Sequence, residues 1–325
     1  MLIALTGATG GVGCEIALAA RARGFEVRAL VRDPSRARLL EQAGVRLVRG
    51  DLENAAALEE LARGVDAFVH TAAQVGDWGK PEDFRRVNVG GTLACVEAAA
   101  RGGARRFVQL SSVAVYGRPE RGVIGEEYGV HAFGRPYEDT KGESERLAFE
   151  RGRELGLGVA SVRPPAIFGA YDRQLLPRLL GQLRNRQVMY IDGGRAPFNC
   201  VDARDVADAV LRCAERPEAV GEAFNVAASP PPTFREIVEA LCAASGLRQP
   251  KLSVPKGVAM AAALALQAGF RLFRAKRPPL VTPFVVTLLT RHAVYDVGKA
   301  RRLLGWTGRR DTLAALREAA THHLG

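Results

Sequence analysis

Two short stretches carry side chains whose types and spacing can do chemistry. In the first, Tyr137 and Lys141 stand four residues apart just after Pro136. A helix opening there sets a phenol and an ammonium on one face, where the cation can stabilise a phenolate. An unperturbed phenol titrates at about pH 10, so such a neighbour is what lets it exchange a proton at neutrality. In the second, Gly7-Ala8-Thr9-Gly10-Gly11-Val12-Gly13 follows an apolar run and opens an alanine-rich one. Gly7 permits a tight turn, Gly10 lets backbone approach a pyrophosphate, Gly13 allows close helix packing, and the N–H groups of the helix start favour the anion. The whole turn, with Thr9, Gly11 and Val12, is the expected dinucleotide contact.

These residues need a frame, and the first half of the chain supplies one. Apolar runs at 2–5, 27–31, 45–48, 67–71, 107–110 and 159–162 alternate with helical periodicity. Strands rich in Val, Leu and Phe separated by helices call for a parallel sheet covered on both faces, so the expected class is α/β with a doubly wound Rossmann-type sheet. Residues 1–166 form the expected dinucleotide-binding domain. After Pro164-Pro165 the alternation weakens, and 167–325 reads as a smaller substrate lobe that returns to the sheet around 199–215. The triple proline 230–232 precedes an expected helix at 233–245, with Thr233 as N-cap and Glu236 completing a capping box. At the end of the second strand an acidic residue would bind a ribose 2'-hydroxyl. The chain instead has Arg32, with Ser35 and Arg36 close behind. A guanidinium binds a 2'-phosphate bidentately, so NADP(H) is expected in preference to NAD(H), while Asp33 keeps NAD(H) open if the register slips.

Composition bounds the remainder. In 325 residues, 47% are hydrophobic and 25% charged, as in ordinary globular chains. Five cysteines without a C-x-x-C pair argue against a disulfide framework or a zinc site, and the default is a reducing cytoplasm. The start lacks the basic region and cleavage site of a signal peptide, so export is not expected. The net charge of +11 comes mostly from scattered arginines and is read as solvated helix faces rather than nucleic-acid binding.

Several further motifs occur in a fixed order: Asp51-Leu52, His70-Thr71-Ala72-Ala73, Asn88-Val89-Gly90-Gly91-Thr92, Leu110-Ser111-Ser112 through Tyr116-Gly117, and Val162-Arg163-Pro164-Pro165 through Phe168-Gly169. With the glycine turn and the Tyr137–Lys141 pair, they resemble the extended short-chain dehydrogenase/reductase family. The resemblance thins through Phe198 to Asp205 and Phe224-Asn225-Val226. It implies that Ser112 hydrogen-bonds the substrate oxygen, with Ser111 as its competitor, and that Tyr137 exchanges the proton. Lys141 would hold the nicotinamide ribose and lower the tyrosine pKa. It further implies Asp51 and Leu52 at the adenine, Thr71, Ala72 and Ala73 along the cofactor, Pro164 at the nicotinamide, and Phe168 and Phe198 as candidate substrate contacts. A homodimer through helices containing Leu93–Ala100 and Leu147–Leu155 is implied too, although faces packed on the sheet explain the same pattern.

The later chain holds two apolar runs, 258–273 and 280–289. They suit a greasy substrate pocket and its lid. The first is too short and too interrupted to span a bilayer; a core helix is the expectation, with a peripheral membrane contact as the alternative. This tail and the loop holding Trp78 are similar to the 3β-hydroxysteroid dehydrogenase branch and to bacterial 2-alkyl-3-keto acid reductases. Trp78 either faces substrate or anchors its loop. The resemblance implies an NAD(P)-dependent oxidoreductase interconverting a secondary alcohol and a ketone on a hydrophobic substrate. Two alternatives stand beside it: a sugar-nucleotide 4-epimerase or dehydratase, with Arg173, Arg184, Arg186 or Arg195 clasping the diphosphate, and a non-catalytic cofactor sensor.

Overall fold

The computed structural model describes the chain apart from residues 77–78, 273–280, 309–310 and 325. Seven parallel strands form the main sheet. In spatial order they are Arg46–Arg49, Glu26–Val31, Leu2–Thr6, Ala67–His70, Arg106–Leu110, Gly158–Arg163 and Ala223–Asn225. The order reverses beside the first strand, and the crevice at that switch point is where open α/β sheets bind ligands. Register is set by pairs such as Leu5↔Ala29 on one side and Leu5↔Val69 on the other. Because both faces are covered, the central strands are buried at nearly every position: Ile3, Ala4, Leu5, Phe68, Val69, Phe107 and Val108 are all fully buried.

Two crossovers differ from the periodic pattern. After the second strand the chain makes a 3-10 turn, Pro34–Ala37, and a short helix, Arg38–Gln42, rather than one helix. Proline at the first position and the Asp33 carboxylate, which accepts from Ser35 N at 3.0 Å, favour that tight start. After the fourth strand the helix begins at Pro81 and passes through a π turn at Arg85–Gly90 before Gly91–Arg101. In that turn the Asn88 side chain is tied to the loop, accepting from Gln74 N at 2.7 Å and donating to its carbonyl at 3.1 Å.

The second half threads back more deeply than the expected 199–215. Helix Ala203–Glu215 packs along Gly11–Ala22, and Ala223–Asn225 adds the seventh strand. Later, His292–Tyr295 pairs in parallel with Arg121–Ile124, and fully covered Trp306 donates from its indole to the Asp205 carbonyl at 2.9 Å. A separate core joins Leu176, Leu180, Phe234, Leu241 and Leu316, where helices Leu175–Arg184, Phe234–Ser245 and Thr312–His322 meet. Thr233 and Glu236 form the expected capping box, with Thr233 N donating to Glu236 Oε2 at 2.7 Å and Glu236 N to Thr233 Oγ1 at 3.2 Å.

The apolar run from 258 forms helix Lys256–Leu272, but not a core helix. Among its residues of described burial only Ala259 and Ala263 are buried, whereas Val258 is 60% exposed and Leu264 55%. All-round apolarity reads as burial in a sequence; here the helix lies on the surface. In the two helices expected to pair protomers, Cys95, Val96, Ala98, Ala99 and Ala148 lie in the core under the sheet, whereas Leu93 and Leu147 are half-buried and Leu155, at the end of the second, is exposed. Their outer faces carry ion pairs, among them Arg151–Glu97 at 3.2 Å and Arg146–Glu150 at 2.6 Å.

Candidate active site

The glycine turn joins strand Leu2–Thr6 to helix Gly11–Ala22. Gly7 has φ +74°, and a Cβ there would lie 2.5 Å from Thr71 Oγ1 and 2.7 Å from Ala72 N. A Cβ on Gly13 would lie 2.2 Å from the Gly7 carbonyl oxygen. Gly10 closes the turn by donating to that carbonyl at 2.9 Å. Its own side stays open, because the only atom near an added Cβ is again Gly7 O, at 3.2 Å. The helix start has no side-chain cap and no acidic residue in its first turn. Its N–H groups are therefore left to meet an anion. An uncapped helix start behind a cradle that a Cβ would fill fits a dinucleotide pyrophosphate, with Thr9, Gly10, Gly11 and Val12 around it.

The remaining predicted cofactor residues flank this turn. Arg32 is exposed immediately after strand Glu26–Val31. Asp33 is engaged locally, accepting from the Ser35 hydroxyl at 2.7 Å, and those bonds to Ser35 hold its carboxyl below the usual range. Arg36 and Thr9 line a cavity of about 530 Å³ together with Tyr171, Arg173 and His322. On the other side, Asp51 is exposed and Leu52 packs on Gly91, where a Cβ would meet Leu52 Cδ1 at 2.6 Å. Thr71 donates to the Thr6 carbonyl at 2.7 Å, which fixes where Ala72 and Ala73 leave the sheet. His70, from the same motif, is buried between Thr6 Oγ1 at 2.7 Å and Thr92 Oγ1 at 3.1 Å. Burial first and the Lys141 charge second push it down to about 3, so it is a neutral strut at pH 7.

The side chains expected to react come from two elements. Ser112 follows strand Arg106–Leu110 and caps the 3-10 turn Val113–Tyr116, accepting from Ala114 N at 3.1 Å. Its hydroxyl lies 3.5 Å from the Pro164 carbonyl, so Pro164 borders the serine. Ser111 is buried, whereas Ser112 is partly open to the crevice. Tyr137 and Lys141 stand on helix Pro136–Glu154. Proline at its first position and the Asp139 carboxylate, which accepts from Phe133 N at 2.6 Å and Arg135 N at 2.8 Å, set its start. Ser112 and Tyr137, 25 positions apart in the chain, are brought close enough for the serine hydroxyl to act on the phenol.

The expected effect of Lys141 on the phenol is not what this arrangement shows. The ammonium turns inward and donates to the Leu110 carbonyl at 2.6 Å. Burial raises the Tyr137 pKa; the nearby Ser112 hydroxyl pulls it down, and the Glu138 charge pushes it up. Lys141 itself is lowered to about 8, because burial disfavours its charge more than nearby Glu145 supports it. Sequence reasoning had no signal for Glu145, one turn beyond Lys141. It is buried with Arg163, whose Nε lies 3.0 and 3.1 Å from the two carboxylate oxygens.

The predicted substrate residues fare differently. Phe168 and Phe198 belong to the lobe core, at 0% and 7% exposure, with Phe198 5.9 Å from the Phe234 ring, so neither is placed to touch substrate. Trp78 lies outside the described residues. The arginines considered for a diphosphate do not share one place. Arg173 precedes helix Leu175–Arg184, while Arg184 and Arg186 stand at its far end, about 15 Å away at 1.5 Å per residue. A contact that sequence reasoning missed is Arg118, whose guanidinium lies 4.3 Å from the centre of the Phe284 ring and pairs with Glu138 at 2.8 Å, next to Tyr137.

Comparison with known proteins agrees with this geometry. Residues 3–227 match the NAD dependent epimerase/dehydratase family. A curated relative from Stigmatella aurantiaca, 4-hydroxy-2-methyl-3-oxo-4-farnesyl-3,4-dihydroquinoline-1-oxide ketoreductase, is 32% identical over 97% of this chain and 95% of its own. The 2-alkyl-3-oxoalkanoate reductase of Stenotrophomonas maltophilia is 29% identical over 94% of each chain. Among solved structures, a short-chain dehydrogenase/reductase superfamily protein from Agrobacterium tumefaciens with bound NAD superposes with a TM-score of 0.74 at 25% identity, over 100% of this chain and 97% of that one. With its seven-stranded parallel sheet, its glycine turn and the Ser112–Tyr137–Lys141 set, the chain belongs to the NAD-dependent epimerase/dehydratase family of extended short-chain dehydrogenases/reductases.

Proposed function

We propose that this protein is an NADPH-dependent oxidoreductase interconverting a ketone and a secondary alcohol on a hydrophobic substrate, of the 3-keto acid or steroid-like kind. The observation that carries the reading is the approach of the Ser112 hydroxyl to the Tyr137 phenol, close enough to act on it, one helical turn from Lys141. A carbonyl oxygen placed between the two hydroxyls accepts from both. Tyr137 then gives that oxygen its proton, or takes it back in the alcohol direction. The dinucleotide, when bound, supplies or receives the hydride. Lys141 has three N–H donors and gives one to Leu110, which leaves two for ribose hydroxyls beside the phenol.

The preference for NADPH rests on Arg32 standing exposed after the second strand and on Arg36 facing the cavity that Thr9 also lines, while Asp33 is occupied with Ser35. The substrate class draws on the two reductases above and on Phe284 of the second apolar run, which packs under Arg118, the ion-pair partner of Glu138 on the helix that carries Tyr137. The test is a screen of 3-keto acids, steroid ketones and sugar nucleotides with added NADPH and NADH, followed by the absorbance of the reduced nicotinamide. The expected result is stoichiometric NADPH consumption with an apolar ketone. Conversion of a sugar nucleotide without net absorbance change would identify an epimerase. Cofactor binding without any turnover would identify a sensor; either result overturns the proposal.

A further inference from the structure

Helix Lys256–Leu272 is covered on one side only. Ala259 and Ala263 pack with Ile191 and Val286, and Met260 sits beside them, so small side chains seat the helix closely but hide little of it. The rest of its circumference faces outward through Val258, Leu264, Leu266 and Phe270, exposed by 60, 55, 44 and 36%, with alanines between. A surface helix in water carries charged and polar residues on that face. From Gly257 to Phe270 the sole polar side chain is Gln267. Leu252, just before the helix, is 71% exposed.

Charge is a second and independent observation. Between Glu239 and Asp296 the chain has no Asp or Glu and eight Lys or Arg, so this stretch holds eight of the eleven net positive charges. Lys251 and Lys256 precede the apolar face, and Arg271, Arg274, Lys276 and Arg277 follow it in sequence. Asp192, which accepts from Lys256 N at 2.8 Å, is an acid at the helix start; a stretch with eight positive charges and no acid of its own still repels its own image across a two-fold axis, which disfavours a second copy as the cover. No helix of the described residues is long and apolar enough to cross a membrane.

We propose that this face docks on an anionic lipid bilayer, with the helix lying in the plane of the interface. The exposed Val, Leu and Phe side chains enter the boundary between headgroups and acyl chains, and Lys251 and Lys256 meet the anionic headgroups. The same helix packs on Pro283–Thr290, whose Phe284 lies under Arg118, the partner of Glu138 on the helix that carries Tyr137. A membrane-dissolved substrate would thus reach the crevice from the docked side; that clause rests on the proposed function, whereas the docking does not.

Flotation of the full chain with vesicles of phosphatidylcholine containing about a third phosphatidylglycerol, and with phosphatidylcholine alone, tests this. Wild-type protein is expected to float with the anionic vesicles and to be released by high salt. Leu264→Glu/Leu266→Glu and, separately, Lys251→Gln/Lys256→Gln should bind at least tenfold more weakly, with nucleotide binding unchanged as a check of folding. Wild-type protein that stays with the buffer, or variants that float as it does, overturn the proposal. So does a concentration-dependent dimer, dissolved by the leucine variant and indifferent to vesicles, which would give the face to a second copy. Because flotation needs no turnover, its failure is separable from failure of the proposed activity.

Discussion

Replacing Glu145 by Gln probes how the fold holds a charge in the site. Glu145 and Arg163 are 2% and 6% exposed, and the carboxylate also accepts from Ser161 Oγ at 2.6 Å. Burial alone would raise the carboxyl; the Arg163 guanidinium outweighs it and keeps the group ionised. The guanidinium goes on to donate to Tyr116 OH at 2.7 Å, and that hydroxyl donates to Asn225 Oδ1 at 2.7 Å. Removing one partner of a buried pair leaves the other charge uncompensated, at a cost of about 3–5 kcal/mol. Gln keeps some hydrogen bonds, so the lower end of that range is expected in urea unfolding. The same change withdraws the carboxylate that supports the Lys141 charge, and the lysine pKa should move further below about 8. The alkaline fall of kcat/KM then shifts to lower pH. Glu145→Gln/Arg163→Met, with both charges gone, should recover part of the stability but not the pH profile. A single variant within 1 kcal/mol of wild type, with an unmoved profile, refutes the reasoning.

Other outcomes follow from the same geometry. Tyr137→Phe should lower kcat by about 10²–10⁴-fold while fluorescence titration still shows nucleotide binding; a smaller loss would remove the phenol from the proton transfer. In wild-type protein, kcat/KM for ketone reduction should fall above about pH 8 as Lys141 loses its proton. Its folded pKa is depressed from 10.5 to about 8, so the unfolded chain binds more protons between those values. Stability measured by denaturation should therefore rise with pH through that window, and a flat profile counts against it. Arg32→Asp should shift the ratio of NADPH to NADH turnover toward NADH, and an unchanged ratio sinks the phosphate assignment. Thr233→Ala removes one half of the capping box and should cost about 1 kcal/mol in thermal unfolding without touching turnover.

Local pattern made much of this molecule readable from its residues. Alternating apolar runs announced the six strands of residues 1–166 that enter the sheet, because a strand covered on both faces must be apolar throughout. The glycine turn was legible since Gly7 and Gly13 have no room for a Cβ, and the capping box since it is complete within four residues. What depends on distance along the chain was not legible. Spacing placed Tyr137 and Lys141 on one helix, but only the packed sheet brings Ser112 to the phenol and turns the ammonium to Leu110. Phe168 and Phe198 carry no mark that separates a core ring from a substrate ring, and the lobe core claims them. Helix Lys256–Leu272 shows the limit most plainly. Its residues declare apolarity, but which side is covered depends on neighbours such as Ile191 and Val286, and these cover only a narrow strip. The residues alone determined the strands, the turn and the shared helix of Tyr137 and Lys141; tertiary packing decided which groups meet and which apolar faces stay uncovered, because both are set by long-range contacts that no local period encodes.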